Sequence, residues 1–214
     1  MSAIGTRARS GGFSLVEVMV AVIVICVGLM GIAKMQALSL SNSTTSRLRS
    51  LAAIEAASLA SIMHSNRLYW ASATLPPNFT ATVTVGGIAS NDAALQAQAT
   101  AYLGTAPNIN ACLGAQCTPV QLAAFDLARW SVSLNGAGAT PGLLPNAVGT
   151  VNCPPAPAGL NTPVSCTIVI TWSEQAVAVN RQSSTAAANA ACTAAAAAGQ
   201  QCLQIPTYTL YVEP

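Results

Sequence analysis

The stretch RSGGFSLVEVMVAVIVICVGLMGIAK, residues 9–34, decides how the rest of the chain is read. From residue 13 to residue 33 it is apolar but for Ser14 and Glu17. Such a run makes a helix of about 21 residues and about 31 Å, enough to span a hydrocarbon core. A simple anchor explains that length but not the acid, because a carboxylate near the bilayer centre costs about 2.5–3.5 kcal/mol. Glu17 is accounted for if a positive charge meets it. Cleavage between Gly12 and Phe13 would create one, the new α-amine of Phe13, a helical turn from Glu17 or on a neighbouring copy. A lone buried charge is strongly disfavoured, so a helix of this kind is comfortable beside another subunit, and Glu17 becomes a device for register.

Ahead of this helix lies MSAIGTRARSGG, residues 1–12, with Arg7 and Arg9 and no acid. An ordinary secretory signal has a similar basic start but a shorter apolar stretch, and MQALS at residues 35–39 offers it a cleavage site. Charged residues are only 7% of the chain and the formal charge is +2, with no basic run, so nucleic acid is not an expected partner. Without Arg7 and Arg9, the 8 Lys+Arg fall to six against 6 Asp+Glu, a side-chain-neutral chain. That balance suits a part packed among copies or partners better than an electrostatically steered binder.

Cys26 lies inside the apolar stretch, and Cys112, Cys117, Cys153, Cys166, Cys192 and Cys202 all follow in the second half. Basic charge before a membrane segment and cysteines after it place the N-terminus in the cytoplasm and the rest in an oxidising exterior. Six cysteines allow about 15 pairings. The expectation is nearest neighbours: Cys112–Cys117, Cys153–Cys166 and Cys192–Cys202. With no C-x-x-C and one histidine, His64, no metal site is expected.

Along the chain, one helix is predicted from about residue 13 to residue 67, apolar all round at first and amphipathic later. Its later buried stripe is Leu48, Leu51, Ile54, Leu59, Ile62 and Met63. SLSNSTTS, residues 39–46, is a weak point, and Pro76 and Pro77 end the element. TATVTV, residues 80–85, alternates like a strand before a Gly86-Gly87 turn. TPVQLAAFDLARW opens a helix with a capping box of Thr118 and Gln121 and Pro119 in the first turn. Its buried stripe is Val120, Ala124, Leu127 and Trp130 or Leu134. A Gly/Pro-rich connection covers residues 135–147. SCTIVITW, residues 165–172, and TYTLYV, residues 207–212, alternate as strands, the second a candidate edge open to another subunit. Between them lies an Ala tract, residues 186–198, within a surface excursion tied by Cys192–Cys202.

GG-FSLVE resembles the type IV prepilin signal, a glycine followed by Phe-x-x-x-Glu opening a long apolar helix. The resemblance implies cleavage after Gly12 by a prepilin peptidase, N-methylation of Phe13, and a subunit-docking role for Glu17. ACLGAQCTPVQLAAFDLARW followed by VSCTIVITWSE resembles the head of PilV-like minor pilins. Many major pilins carry a helix-kinking proline where Lys34 stands, which argues against a bulk shaft subunit. The expected fold is α+β and pilin-like, a long N-terminal helix packed on a small antiparallel sheet with disulfides. The expected segments are a leader at 1–12, a transmembrane and assembly helix at 13–34, its amphipathic continuation at 35–70 and an α+β head at 71–214.

The function the resemblance implies is a minor pilin that primes type IV pilus assembly at or near the tip, supporting twitching motility and adhesion. Implied partners are other minor pilins, a tip adhesin, the major pilin, the prepilin peptidase/N-methylase and an inner-membrane assembly platform. The implied location is the inner membrane before assembly and the pilus tip after it. A type II secretion pseudopilin shares the same signal and is the alternative. No catalytic residues and no cofactor are expected, since His64 falls on the polar side of its helix and no nucleophile elbow or phosphate loop is present. Trp130 and Trp172 read as core residues, and Asp126 with Arg129 as a surface pair.

Overall fold

The computed structural model describes residues 14–72, 75–103, 112–114, 116–137, 140–154, 164–175 and 203–214. The chain divides into two compact units, Met1–Ser43 and Thr44–Pro214. Helix α1 covers Leu15–Ser65 without a break, so the Ser/Thr-rich stretch at 39–46 stays helical.

In the second unit, α1 buries Ala52, Glu55, Ala56, Leu59 and Met63. Of the expected stripe, Leu59 and Met63 are buried and Leu48, Leu51 and Ile62 half-buried, while Ala52, Glu55 and Ala56 complete the i, i+3, i+4, i+7 pattern. Ile54, expected inside, is 61% exposed. Glu55 takes an inward position instead, because its carboxylate accepts from Ser133 Oγ at 2.8 Å and its carbonyl from Trp130 Nε1 at 3.2 Å. The helix also stops before residue 67 and well before the prolines. Asn66 is buried, and its side-chain amide donates to the Pro119 carbonyl at 2.8 Å. A one-turn helix, α2 (Arg67–Trp70), follows. It leads into an edge-to-face cluster of Tyr69, Trp70 and Phe79, with ring centroids 5.1–6.3 Å apart.

The main sheet has five strands: β1 (Phe79–Thr84), β2 (Gly87–Ser90), β5 (Val148–Cys153), β6 (Cys166–Thr171) and β9 (Thr207–Val212). Their order is β2-β1-β5-β6-β9, and every neighbouring pair is antiparallel. Short pairs β3 (Gly136–Ala137) with β4 (Thr140–Pro141), and β7 (Glu174–Gln175) with β8 (Leu203–Gln204), lie outside it. Two helices complete the unit, α3 (Ala93–Tyr102) and α4 (Pro119–Asn135).

Register puts one residue set on the buried face: Phe79, Ala81 and Val83 beside Cys153, Val151 and Gly149, then Ile168 and Ile170. The alternate set, Thr80, Thr82, Thr150, Thr167, Thr171, Thr207 and Thr209, lies on the other face. This is the period-2 pattern of a sheet with one face packed. Gly149 occupies an inward position because a Cβ there would sit 2.3 Å from the Trp130 ring. Its bare backbone lets α4 approach the sheet.

Candidate functional site

In the first unit, the described residues are helical from Leu15 onward. The Ser14 carbonyl accepts from the Glu17 and Val18 amides at 3.0 and 3.2 Å and closes the first turn. Glu17 therefore stands in the first turn of α1, where the helix dipole favours an acid without any partner. This second reason for an acid here is absent from the sequence reading. Every side chain from residue 14 to residue 37 is exposed, Leu15, Val18, Ile23, Ile25, Leu29 and Met30 among them. Apolar surface of that extent marks contact with a membrane or with other protein. By length and composition α1 can cross a membrane. Gly12 and Phe13, the expected processing site, lie outside the described residues.

In the second unit, two disulfides are formed, Cys112–Cys117 and Cys153–Cys166. Cys153 and Cys166 follow directly on the Asn152–Thr167 register pair, so the bond staples neighbouring strands β5 and β6. Cys192 and Cys202, with the Ala tract, lie outside the described residues. Cys26 is a free, exposed thiol.

Helix α4 begins with the expected capping box: Thr118 Oγ1 accepts from the Gln121 amide, and Gln121 Oε1 accepts from the Thr118 amide. Ala124, Leu127, Trp130 and Leu134 are buried as expected, while Val120 is half-buried. Trp172 is also buried, and its Nε1 donates to Glu174 Oε1 at 3.0 Å. Glu174 is itself buried, and its other oxygen faces Arg49 of α1 at 3.4 Å. A carboxylate so placed needs both partners to offset its lost hydration. It ties α1 to the strand side of the unit.

Helix α3 was not expected from the sequence. Asp92 Oδ1 accepts from the Ala94 and Leu95 amides, while Oδ2 accepts from Tyr69 Oη at 2.7 Å. One carboxylate thus caps α3 and anchors α2. Burial, and then the Asp92 carboxylate beside it, pushes the Tyr69 phenol well above its usual range. The missed signal was Asn91-Asp92 followed by Leu95, Ala99 and Tyr102, all three buried.

His64 is exposed, as expected for the polar side of its helix. Asp126 and Arg129 do not form the expected surface pair. The Arg129 guanidinium lies over the Phe125 ring, 5.7 Å from its centroid. Asp126 is half-buried, and desolvation raises its pKa to about 6 although the Arg129 charge acts against this. Among the described residues the one ion pair is Arg49–Glu174.

Comparison with known proteins adds one match. The family described as the prokaryotic N-terminal methylation motif matches residues 7–33. The chain carries a prepilin-type methylation signal. The matched segment runs through Gly12, Phe13 and Glu17 and well into α1. The motif supports a type IV pilin or pseudopilin, which are structural subunits. It implies processing by a prepilin peptidase and assembly with pilus-type machinery, and with the apolar helix it supports membrane anchoring. No curated protein and no solved structure matches the chain.

Proposed function

We propose that this chain is a minor pilin of the PilV-like kind, which primes type IV pilus assembly and stays at or near the tip. The observation that carries the reading is the methylation motif over residues 7–33 leading into the apolar helix Leu15–Ser65. Support for the minor-pilin branch comes from the resemblance of the head segment. That segment folds into a Cys112–Cys117 loop, the capped helix α4 and the strand β6.

In this reading residues 1–12 are a leader removed after Gly12, and the new amine of Phe13 is methylated. Residues 13–34 hold the subunit in the inner membrane and pack against sister helices, with Glu17 selecting the axial register. Residues 35–70 hold the continuation of that helix to Ser65 and the short α2, and 71–214 form the rest of the head outside the cytoplasmic membrane. The subunit does no chemistry of its own. It is a substrate of the prepilin peptidase/N-methylase and joins other minor pilins, a tip adhesin and the major pilin on an inner-membrane platform, supporting twitching motility and adhesion.

The test is to count surface pili from a strain lacking the gene, with and without a block on retraction, and to measure secreted enzymes in parallel. Pili that vanish and return when retraction is blocked support priming. Normal pili with failed secretion transfer the chain to a type II secretion pseudopilus, which shares the same signal.

A further inference from the structure

The stretch SLSNSTTS, residues 39–46, is helical although seven of its eight residues are Ser, Thr or Asn. Each of these is about two- to threefold poorer than Ala in the helix–coil equilibrium. Their hydroxyls and amide also offer the backbone competing hydrogen bonds. On either side of the stretch, something outside the helix backbone holds α1 in shape. Before it, the apolar run can lie in a bilayer, where an opened helix would leave backbone N–H and C=O groups without water or partner. After it, Leu48 and Leu51 pack against the core, and Ala52 is fully buried. Between 39 and 46 no side chain is buried: Ser41 and Thr45 are half-buried, and the rest are exposed, Leu40 to 70%. The division between the two compact units, after Ser43, falls inside the stretch. A turn beyond it, Arg49 meets the buried Glu174 at 3.4 Å, the one ion pair among the described residues.

We propose that residues 39–46 are a hinge, a segment where α1 opens locally while the helix on either side of it holds. The Arg49–Glu174 pair sets its limit towards the head. It ties α1 to β7 within a turn of the weak stretch, so opening that starts among the serines and threonines stops there. Gly28 and Gly31 are poor helix formers too, and a Cβ at either would meet nothing. They lie inside the apolar run, however, where lipid or sister helices oppose opening for want of water. The hinge therefore lies in the first weak stretch beyond that run. In the subunit reading such a joint lets the head turn while the anchor stays in the bilayer, and again as the helix packs among its neighbours. That use rests on the subunit reading, whereas the opening itself does not.

The test is hydrogen exchange, read by mass spectrometry, on the full chain in lipid nanodiscs. Corrected for intrinsic rates, the amides of residues 40–46 should exchange on the order of a hundredfold faster than those of residues 54–63. Replacing the seven Ser, Thr and Asn residues of the stretch by Ala should slow them by a similar factor and leave the melting temperature of the head unchanged. Equal protection of the two segments, a fast window centred on Gly28 and Gly31, or an alanine variant that exchanges as fast as the wild type overturns the hinge. Arg49→Met together with Glu174→Gln removes both charges, so neither is left buried alone, and keeps an acceptor for Trp172 Nε1. In that variant the fast window should lengthen by about a turn towards Ala52. A window of unchanged length overturns the limit assigned to the ion pair. The subunit reading fails separately: the same sample gives the N-terminal mass, and a mature chain not starting at methylated Phe13 overturns that reading while leaving the exchange result standing.

Discussion

Residues 14–37 and the unit Thr44–Pro214 use similar apolar residues to opposite ends. The first segment leaves every side chain exposed, while the second encloses Trp70, Phe79, Leu127, Trp130, Ile168 and Trp172 around a sheet. An apolar helix with no partner in its own unit is completed by something outside the chain, whether lipid or sister helices. A sheet with one face covered and two disulfides completes itself. Substitutions in the head should therefore register as stability, and substitutions in the anchor as assembly. All three tryptophans are buried in the head, so intrinsic fluorescence follows its unfolding alone.

The largest effect on the head is expected at Gly149. In Gly149→Val the new side chain has no space, since its Cβ would fall 2.3 Å from the Trp130 ring. Overpacking there should cost about 3 kcal/mol or more. A fluorescence melt of the detergent-solubilised chain should show a large drop in Tm or no folded baseline. A near-normal Tm would mean that α4 can move off the sheet.

The staple between β5 and β6 comes next. Replacing Cys153 and Cys166 by alanine opens a loop with a sequence separation of 13. The loss should be about 2–3 kcal/mol by release of the unfolded chain. The same melt under reducing conditions should bring the wild type down towards the double variant, the Cys112–Cys117 loop adding less because it is shorter.

A smaller effect is expected at Asp126. Its folded pKa of about 6 lies above the ordinary value of 3.8, so the folded state keeps a proton that the unfolded chain has lost between these values. Stability must then fall as pH rises from about 4 through about 6, and level off above. Asp126→Asn should remove that slope and raise stability at pH 7 by on the order of 1 kcal/mol, once solvent screening of a half-exposed carboxyl is allowed for. Equal slopes in both proteins would show that Asp126 is better hydrated than its position suggests.

Much of this arrangement is legible in the sequence where the cause is local. The capping box of Thr118 and Gln121 and the alternation of β6 and of β9 form where their residues say, whereas the turn falls one residue early, on Val85 and Gly86, and Gly87 already opens β2. Strand β5, which starts directly after the Gly/Pro-rich connection, gives no strand signal in the sequence because its inward set is Gly149, Val151 and Cys153. The glycine is explained only by a tryptophan on a helix that precedes it in the chain. Ile54 loses its expected inward place, and Glu55 takes one, for a similar reason. Periodicity among so many alanines leaves the face undecided, and Ser133 and Trp130 on α4 settle it by holding Glu55 inside. At the candidate site the motif is wholly local, so Gly12, Phe13 and Glu17 could be named from the sequence. The closure of the β2 edge by Gln96, which bonds the Ser90 amide and the Ile88 carbonyl, could not, since it depends on α3 folding back against the sheet.

The sharpest contrast between the two regions comes from Glu17, where the expected effect on head stability is nil. Glu17→Ala should leave the fluorescence melt unchanged, because the residue lies in the unit Met1–Ser43 and every tryptophan lies in the other. Two physical roles for the carboxylate remain, and they separate by experiment. If it only complements the dipole at the start of α1, the loss is about 0.3–1 kcal/mol of local helix stability. Glu17→Gln would then behave like alanine, and recovery with partner subunits would be nearly normal for both. If it pairs with the amine of Phe13 on a neighbouring subunit, both variants should copurify poorly with their partners, while Glu17→Asp keeps part of the recovery. Copurification from solubilised membranes, with N-terminal mass as the check that cleavage still occurs, distinguishes the two. Full recovery of the alanine variant would reduce Glu17 to a helix-end charge and leave register to the packing of apolar side chains.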